Sequence, residues 1–571
     1  MTKETEARIL EISKKYPQQA SVMMPALDLV QRANNNYLPQ EEIRRVASLL
    51  HTTESKAYGV ATYYTMFHTQ PVGKYQLQVD TNIPGFLAGA YEILKHLKTT
   101  LKIDVGETTE DGLFTLASVE DLGSCGTCPV IQVNDTFYEN MTIAKVDDLI
   151  ASLKRGVMPE PEPSSYFYSD CQILLKNRGN GTTTHLEAYK KSGGYAALTK
   201  ALTMQPTEVV AEVKASLLRG RGGAGFPTGV KWSFLPKDDS RPVYLICNAD
   251  EGEPGTFKDR QIMEYDPHLL IEGLAISAYA IGSEKSFIYI RGEFRWIADI
   301  LEAAIEEAKA AGYLDHLDIV VHRGAGSYVC GEETALIESL EGKRGNPRLK
   351  PPFPANVGLY GDPTIINNVE TLACIPYIIE QGAEAFKQIG VTGNYGPKLY
   401  GVSGHVKKPG VFEFPLGTQL TTILEAAGGV DGTLKAVIVG GLSVPILKAD
   451  EIDDVNMDYD GCLKAKTLFG SGGIMVINDT VSIPKLALRT IRFYAHESCG
   501  QCSPCRNGSY TLEHLLTKIV RGKGSADDLE RALTICNTIE GITLCPTGDA
   551  FAFPIRSMIL KFRDEFDALI Q

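Results

Sequence analysis

Four cysteines in the last part of the 571-residue chain have the spacing of metal ligands. Cys499, Cys502 and Cys505 form a C-x2-C-x2-C run, and Cys545 lies forty residues further on. Three thiolates on one tight loop can occupy three corners of a [4Fe–4S] cubane, and a distant cysteine closes the fourth. A zinc site usually takes its cysteines as two C-x2-C pairs, so the spacing favours the cluster and leaves zinc as the alternative. We expect Cys536, which lies in an apolar helical pattern, to be a buried thiol that binds no metal.

A glycine-rich segment at 220–229 is the second candidate for chemistry, because it contains the pattern G-x-G-x-x-G. It follows a helical pattern rather than a strand, so it is not the Rossmann fingerprint. Its glycines would still let backbone N–H groups approach a phosphate or a ring system closely. Lys231 lies just beyond it, and Phe226, Trp232 and Phe234 offer flat surfaces. These residues predict a ligand site rather than a solvated loop.

Acidic and amide side chains follow apolar runs that have the pattern of strands. Residues 248–255 follow one such run, residues 324–333 follow another, and Asn367 and Asn368 precede an apparent helix start. Ligands of α/β sheets bind at the carboxyl ends of the strands, where such groups could bind a ribose, an isoalloxazine edge or a carboxamide. The competing interpretation of each cluster is a solvated turn or a helix cap. A flavin or nucleotide pocket together with an iron–sulfur cluster indicates conversion of a two-electron donor into one-electron steps.

The composition limits the possible partners and compartment. With 56 Lys and Arg against 70 Asp and Glu, the formal charge is −14 and no segment is strongly basic, which argues against nucleic-acid binding. No apolar run has the length of a membrane span, and the charged beginning of the chain is not a signal peptide. The 12 cysteines do not have the distribution of a disulfide framework. We therefore expect a cytoplasmic protein without direct membrane insertion.

The elements that must position these groups divide the chain into five parts of an α/β multidomain protein. Residues 1–156 combine a helical prefix with a small α/β unit. Alternating prolines introduce a linker at 157–190. Strand–helix alternation over 191–395 is typical of a buried, largely parallel sheet, residues 396–475 form a compact β-rich module, and 476–571 form a helical bundle that carries the four cysteines.

Taken together, the motifs at 220–232, 246–260, 324–336, 348–354 and 496–506 closely resemble one family. This is the family of the NADH-oxidising flavoprotein subunit of respiratory complex I. Its relatives are the diaphorase subunits of NAD-reducing [NiFe]-hydrogenases and the NADH-handling subunits of formate dehydrogenases. The resemblance covers about 190–565. It implies an α/β FMN-binding domain, a β-grasp (ubiquitin-like) module at 396–475 and a helical bundle with a [4Fe–4S] cluster.

The resemblance also implies roles for individual residues. Phe226, Phe234 and Phe353 would pack the NADH adenine. Glu333 would lie near the adenine ribose, which favours NADH over NADPH, and Lys350 would assist the phosphates. Glu251 and Glu253 would lie near the nicotinamide, whose hydride passes to flavin N5. The residues implied to hold FMN are Gly222, Gly225, Lys231, Asn248, Asp250, Tyr328, Gly331, Glu332, Asn367 and Asn368.

Residues 1–156 resemble the thioredoxin-like [2Fe–2S] subunit that accompanies that flavoprotein, here fused to it. The four positions of the cluster ligands in that family fall on Asp80, Gly85, Asp121 and Cys125, so three of the four thiols are missing. Cys128 adds a thiol but leads into Pro129 and a strand rather than a helix. We therefore expect no [2Fe–2S] cluster in this part of the chain.

The leading hypothesis is an NADH dehydrogenase (diaphorase) subunit. It would pass hydride from NADH to FMN and then single electrons through a [4Fe–4S] cluster to a partner iron–sulfur subunit. The same unit could run in reverse, as the NAD-reducing subunit of a hydrogenase or a formate dehydrogenase. The non-enzymatic alternative is an interaction module stabilised by zinc.

Overall fold

Four helices open the chain in the computed structural model, which describes residues 1–162, 165–178, 184–237 and 240–570. Their buried residues belong to the same apolar core as Phe287 and Leu336, which lie far along the chain. The helical prefix therefore packs on the large central domain. The helices are α1 (Lys3–Ser13), α2 (Met23–Ala33), α3 (Gln40–Leu49) and α4 (Glu54–Ala61).

A small α/β unit with its own apolar core follows. Its sheet has the order β2-β1-β3-β4, with β1 and β2 parallel and the other pairs antiparallel. The small α/β unit expected within 1–156 is present, and a tight turn at Asn134 and Asp135 joins its last two strands. The elements are β1 (Tyr75–Asp80), α5 (Ile83–Leu87), α6 (Ala90–Leu101), β2 (Phe114–Val119), β3 (Ile131–Val133), β4 (Thr136–Tyr138) and α7 (Ile143–Lys154).

The segment predicted as a linker, 157–190, contains regular structure. It includes β5 (Tyr166–Ser169) and the first part of α8 (Leu186–Lys191), while 163–164 and 179–183 lie outside the described residues. Strand β5 pairs in parallel with residues 410–413. The buried Glu413 carboxylate accepts hydrogen bonds from the Ser169 hydroxyl and from the backbone N–H groups of residues 173–175. A strand of four residues whose partner lies so far along the chain leaves little local pattern, so the proline signal dominated the prediction.

The central domain contains an all-parallel sheet of order β8-β7-β6-β9, which confirms the predicted strand–helix alternation. Its helices are α9 (Ala196–Ala201), α10 (Pro206–Ala215), α11 (Thr228–Trp232), α12 (Asp259–Tyr265), α13 (Pro267–Ile281), α14 (Arg295–Ala310), α15 (Glu333–Leu340), α16 (Val369–Ala373), α17 (Ile375–Gln381) and α18 (Ala383–Lys387). Its strands are β6 (Tyr244–Ala249), β7 (Lys285–Ile290), β8 (Asp318–Arg323) and β9 (Thr364–Asn368), and the hairpin β10 (Gly390–Val391) and β11 (Asn394–Tyr395) follows.

Both faces of this sheet are buried, but against different parts of the chain. Leu245 and Cys247 point into a core shared with α13, α14 and α17. Tyr244 and Ile246 point to the opposite face, into the core shared with α1–α4. Because successive residues of a strand face opposite sides, both sides need a cover, and the helical prefix supplies the second one.

A second sheet module follows, with a mixed sheet of order β15-β14-β16-β12-β13-β5. It surrounds a separate core that includes Tyr400 and Phe469. The module's own elements are β12 (Pro397–Gly404), β13 (Gly410–Pro415), α19 (Leu420–Ala426), β14 (Leu434–Ile438), β15 (Leu447–Lys448), α20 (Tyr459–Lys464) and β16 (Gly473–Asn478).

Five helices complete the described chain and confirm the predicted bundle. Cys536 is fully buried in its core, as expected. None of the helices that the structure describes combines the length and apolar character needed to cross a bilayer. The helices are α21 (Ile483–Glu497), α22 (Ser503–Val520), α23 (Ala526–Ile539), α24 (Thr547–Lys561) and α25 (Arg563–Asp567).

Candidate active site

A cavity of about 660 Å³ opens at the carboxyl ends of β6 and β9. Its volume lies in the range of pockets that hold cofactors and other small molecules. The central domain, the second sheet module and helix α24 all contribute to its lining. Nine of the residues implied by the resemblance line it, namely Gly222, Asn248, Asp250, Glu251, Glu253, Tyr328, Gly331, Glu332 and Asn368.

Two glycines of this cavity lie so close to neighbouring segments that a side chain would crowd them. A Cβ on Gly222 would lie 3.2 Å from the Cβ of Asn368, and a Cβ on Gly331 would lie 3.4 Å from the Asp250 carbonyl oxygen. Because both glycines also line the cavity, their backbone faces it without a side chain, as expected for close approach to a phosphate or a ring. This observation fits the binding of a flavin nucleotide.

Asp250 supplies a second test of whether the residues of the cavity fit a bound ligand. Its Oδ2 atom is buried and has no hydrogen-bond partner among the described residues, and burial raises the pKa of the carboxyl group to about 8. An unpaired buried polar atom is costly, and native structures rarely keep one without a reason. The neighbouring Asn248 is fixed by a hydrogen bond from its Nδ2 to the Gly331 carbonyl, at 2.9 Å. A ligand that hydrogen-bonds Asp250 would satisfy the unpaired atom.

The two glutamates implied near the nicotinamide have different surroundings. The Glu251 carboxylate accepts hydrogen bonds from the backbone N–H groups of residues 258–260, at 2.8–3.1 Å, at the start of α12. Glu253 accepts one from the Tyr328 hydroxyl at 2.6 Å and one from the Ser443 N–H at 2.8 Å. Burial raises the pKa of Glu253, although these hydrogen bonds oppose the shift. Glu251 is thus committed to a helix start, and Glu253 is the better candidate to meet a substrate.

A row of alternating charges leads away from the cavity. Lys350 Nζ donates to Glu332 at 2.7 Å and to Glu333 at 3.0 Å, and Lys231 Nζ donates to Glu333 at 3.1 Å. Although burial acts to raise it, the two lysines hold the pKa of Glu333 below its ordinary range. Glu332 lines the cavity, whereas the other three residues lie outside its lining.

Three phenylalanines implied to pack adenine are unusually exposed for aromatic side chains. Phe226, Phe234 and Phe353 have relative exposures of 46%, 53% and 54%. The rings of Phe226 and Phe234 lie 5.8 Å apart and are tilted by 48°. Exposed aromatic surface of this kind commonly marks a binding site.

The other residues implied to hold FMN face neighbouring protein groups. The Asn367 side-chain oxygen accepts a hydrogen bond from Trp232 Nε1 at 2.8 Å, and Gly225 packs against Tyr459. Asn368 lines the cavity, but its Nδ2 donates to Asp259 and its Oδ1 caps α16. The side chains of Asn367 and Asn368 are therefore already hydrogen-bonded to protein groups in the walls of the site.

The four cysteines of the predicted cluster line one small cavity together. Cys499, Cys502 and Cys505 lie where α21 gives way to α22, and Cys545 lies just before α24. Two long helices thus direct their N-termini, which favour negative charge, at the cysteines. Burial raises the pKa of Cys505 to about 12, so bound iron would have to stabilise its thiolate.

The arrangement of these thiols suits a cubane. Three of the thiols come from one short segment and the fourth from a separate one, and all four line a single small cavity. A cubane has an iron at each corner, so its thiolates are spread around a cavity. The residues present fit a [4Fe–4S] cluster.

The two cavities are neighbours. Val329 and Thr547 line both the larger cavity and the cavity of the cysteines, so the wall between them is one residue thick at these positions. A ring system bound in the larger cavity would be held close to a cluster on the cysteines.

Comparisons with known protein families agree with this division of the chain. Residues 213–377 match the Nuo51 FMN-binding domain, and residues 485–569 match the NADH-ubiquinone oxidoreductase-F iron-sulfur binding region. Residues 9–154 match the thioredoxin-like [2Fe-2S] ferredoxin family, and residues 399–446 match the SLBB domain. The iron–sulfur match supports the cluster over the zinc alternative.

Curated relatives decide the family. The F 2 subunit of NADH-quinone oxidoreductase from Rhizobium meliloti (strain 1021) is 51% identical over 411 residues, which cover 70% of this chain and 97% of that protein. The chain belongs to the family of the NADH-quinone oxidoreductase F subunit. The F subunit of Aquifex aeolicus (strain VF5) is 47% identical over 414 residues, 71% of this chain and 96% of that protein.

A solved structure extends the likeness over nearly the whole chain. One chain of an NAD+-reducing [NiFe]-hydrogenase in the H2-reduced state superposes with a TM-score of 0.87 and 31% identity, and covers 97% of this chain and 93% of its own. The air-oxidized state of that enzyme gives a TM-score of 0.86 at 31% identity, covering 96% and 93% of the two chains. The mixed α/β architecture with a parallel sheet is therefore shared over nearly the whole length.

In the thioredoxin-like region, residues 9–154, polar side chains take the place of cluster ligands. Asn82 Nδ2 donates to Asp80 Oδ2, Asp121 Oδ1 and Cys125 Sγ at 3.2, 2.7 and 3.3 Å. Gly85 is the remaining one of the four positions. A Cβ there would lie 2.5 Å from the Asp80 carbonyl oxygen, so the backbone leaves no space for a side chain. These residues form a filled, hydrogen-bonded network and do not fit a [2Fe–2S] cluster.

This network also joins the thioredoxin-like region to the central domain. Arg291 donates to Asp121 Oδ2 and to the carbonyl oxygens of Asp121 and Glu251, each at 2.6 Å. Glu251 lines the larger cavity, so the Arg291 side chain connects Asp121, one of the positions that correspond to cluster ligands, to the cavity wall.

No ligand contact is predicted from the sequence for the second sheet module, yet this module forms one side of the cavity. The residues it contributes include Gly440, Ser443, Tyr459, Phe469 and Ser471. The glycine runs at 440–441 and 470–473 were the available signal, but they have the pattern of ordinary turns. The residues of this module that reach the cavity contact central-domain residues far away in the chain. Ser443 and its hydrogen-bond partner Glu253, for example, are 190 residues apart.

Proposed function

We propose that this chain is a flavin-dependent NADH oxidoreductase subunit that binds FMN in the 660 Å³ cavity, NADH at its mouth and a [4Fe–4S] cluster on Cys499, Cys502, Cys505 and Cys545. The observation that carries the proposal is the wall shared by the two cavities at Val329 and Thr547. When bound, the flavin would accept hydride from nicotinamide and release the two electrons singly.

The chain's own residues would act mainly by positioning. In this proposal Phe226, Phe234 and Phe353 pack the adenine, and Glu333 meets its ribose. Glu253, held by Tyr328 and Ser443, orients the nicotinamide carboxamide. Gly222, Gly225, Lys231, Asn248, Asp250, Tyr328, Gly331, Glu332, Asn367 and Asn368 form the flavin site, and Lys350 assists the NADH phosphates.

Around the cluster, hydroxyl groups and helix N-termini would stabilise negative charge. Ser498 Oγ lies 3.3 Å from Cys505 Sγ, and Thr547 Oγ1 lies 3.3 Å from Cys545 Sγ. In the metal-free thiol Cys545 Sγ donates to Thr547 Oγ1, and once iron has replaced the thiol proton this hydroxyl, like that of Ser498, would donate to the thiolate. Electrons would leave through this cluster to an iron–sulfur subunit of a larger complex. All 12 cysteines are free thiols, as suits a reducing compartment such as the cytoplasm.

The remaining modules would have supporting roles. We assign the second sheet module, 396–475, to the β-grasp type, on the mixed sheet and the SLBB match within it. We infer that the thioredoxin-like region binds no [2Fe–2S] cluster, because Asp80, Gly85 and Asp121 replace thiols in a filled network. It would serve instead as a scaffold for the central domain.

The reverse reaction, NAD+ reduction in a hydrogenase or a formate dehydrogenase, is the second candidate. One observation favours it. The chain from the NAD+-reducing hydrogenase superposes on 97% of this chain, thioredoxin-like region included, whereas the sequences of the two F-subunit relatives align with 70–71% of it. The electron path would be the same, and the partner subunit would set its direction.

Cofactor analysis of anaerobically purified protein tests the proposal. We expect about one FMN and about four irons per chain, and bleaching of the flavin absorbance by NADH. About six irons would indicate a [2Fe–2S] cluster in addition. A colourless preparation that contains zinc and no flavin would contradict the proposal and favour the interaction module.

A further inference from the structure

Tyr459 reaches from the second sheet module to the glycine-rich loop of the central domain. Its hydroxyl donates to the Gly220 carbonyl oxygen at 2.7 Å. Its ring lies against Gly225, where φ is +65° and a Cβ would come within 2.3 Å of the ring. Tyr459 also lines the larger cavity, whereas Gly225 does not. Gly222 of the same loop also lines the cavity, so the tyrosine lies beside the part of the loop that would face a ligand.

Arg219 contacts both Tyr459 and the same loop. Its guanidinium carbon lies 3.8 Å from the centre of the Tyr459 ring, and its Nε donates to the Gly225 carbonyl at 2.9 Å. The loop closes on itself through the Gly220 N–H, which donates to the Phe226 carbonyl at 2.9 Å. Both ends of the loop are thus tied to the Tyr459–Arg219 pair.

Tyr459 is itself held by neighbours in its own module and in the central domain. Its ring meets Phe469 edge-on, with the ring centres 4.8 Å apart. Arg219 Nη1 donates to Asn394 Oδ1 at 3.1 Å, and Asn394 Nδ2 donates to Asp460, the residue after Tyr459, at 2.7 Å. A packed side chain of this kind can hold a flexible segment in one conformation.

A glycine-rich loop loses much conformational freedom when it is ordered around a ligand. A group that orders the loop beforehand removes this cost from the binding step. We propose that Tyr459 is a positioning residue that pre-orders the glycine-rich loop for FMN, so that flavin affinity depends on docking of the second sheet module. This inference rests on the proposed function, since it takes FMN to be the ligand.

The test compares Tyr459→Phe with Tyr400→Phe. Both tyrosines lie in the second sheet module and donate to a backbone carbonyl, but the Tyr400 hydroxyl donates to Met457 within that module, at 2.8 Å. The protein is stripped of flavin, and FMN is titrated back while its fluorescence is followed. We expect Tyr459→Phe to bind FMN about five- to tenfold more weakly, as the loss of one hydrogen bond predicts. Tyr400→Phe should stay within about twofold of the unmodified chain.

A second measurement needs no flavin. Trypsin cuts after arginine, so cleavage after Arg219 and Arg221 reports opening of the loop in the flavin-free protein. We expect faster cleavage there in Tyr459→Phe than in Tyr400→Phe or the unmodified chain. With FMN at saturation, the kcat for NADH should be restored in Tyr459→Phe, because the residue orders the loop and transfers nothing.

The outcomes separate this inference from the proposed function. Equal FMN affinity and equal cleavage in Tyr459→Phe and the unmodified chain would overturn the positioning role. An equal loss in Tyr400→Phe would overturn it as well, because the effect would then be one of module stability. Failure of the unmodified chain to bind FMN would instead refute the proposed function.

Discussion

The Sγ of Cys545 lies 3.3 Å from the hydroxyl oxygen of Thr547, and Thr547 also lines the larger cavity. One side chain therefore touches both a predicted cluster ligand and the predicted flavin site. Hydrogen bonds to ligand sulfurs are among the main influences on the potentials of iron–sulfur clusters. This residue is thus placed to affect how readily electrons pass from the flavin to the cluster.

The first prediction concerns this contact. Thr547→Val keeps the shape of the side chain but removes the donor, so the more negatively charged reduced cluster should be less stable. We expect the midpoint potential of the cluster to fall by roughly 30–60 mV in a redox titration followed by EPR.

Ser498→Ala is the matched control, because Ser498 lies 3.3 Å from Cys505 Sγ but outside the lining of the larger cavity. It should lower the potential without altering flavin affinity. Unchanged potentials in both variants would refute a role for these hydroxyls.

The second prediction separates the flavin from the cluster. Cys505→Ala should abolish reduction of the partner subunit while NADH-to-dye activity at the flavin persists, because only the cluster loses a ligand. Cys536→Ala is the control, since Cys536 is fully buried in α23 and lies outside the cavity of the cysteines. It should keep the iron content of the unmodified chain. Loss of iron in Cys536→Ala, with iron retained in Cys505→Ala, would reverse the ligand assignment.

The third prediction concerns the choice between NADH and NADPH. Glu333 lies between Lys231 and Lys350, and a carboxylate at the adenine ribose would repel a 2′-phosphate. Glu333→Gln removes the repulsion and leaves the two lysines unneutralised. We expect the ratio of kcat/KM for NADPH to that for NADH to rise about tenfold, which corresponds to about 1.4 kcal/mol. Glu338→Gln, further along α15, should leave this ratio unchanged. An unaltered ratio in Glu333→Gln would place the ribose elsewhere.

The fourth prediction is a dependence of stability on pH in the thioredoxin-like region. Burial, with the nearby Asp121, raises the pKa of Asp80 to about 8, so the folded state keeps a proton that the unfolded chain releases near pH 4. The stabilisation is complete below about pH 4 and is lost as the pH rises toward 8. Hydrogen exchange of β1 and β3 should therefore become less protected between pH 5 and 8, after correction for intrinsic rates.

Asp80→Asn keeps a neutral side chain at this position, so its protection should change less over the same range. Asp148→Asn, at an exposed carboxylate on α7, should behave like the unmodified chain. A pH response in Asp80→Asn as steep as that of the unmodified chain would assign the titration to another group.

Local sequence patterns predicted the elements well but not their partners. Helices α21–α24 of the C-terminal bundle and the strands of the central sheet have periodic apolar residues that reveal them directly. The packing of α1–α4 on that sheet joins residues such as Leu27 and Phe287, and no local period records such a pairing. Strand β5 was missed for the same reason, since its partner is residue 410 onward.

The candidate site shows the same division. The cysteine spacing and the glycine-rich loop identified two ligand sites, because each depends on residues close together in the chain. The contributions of Tyr459 and Ser443 were invisible, because they reach the cavity only after the second sheet module has docked. Glu251 is an acidic residue that follows strand β6, which is the pattern expected of a ligand-binding group. Its carboxylate, however, accepts hydrogen bonds from the backbone N–H groups at the start of α12.

The central claim is that a flavin and a cubane occupy adjacent cavities of this chain and exchange electrons. An anaerobic titration with NADH, followed by flavin absorbance and by EPR on the same samples, tests it most directly. We predict that the flavin bleaches and that the EPR signal of a reduced [4Fe–4S] cluster appears in the unmodified chain, with the signal absent in Cys505→Ala. Bleaching of the flavin without any cluster signal in the unmodified chain, at potentials that reduce the cluster chemically, would contradict the account.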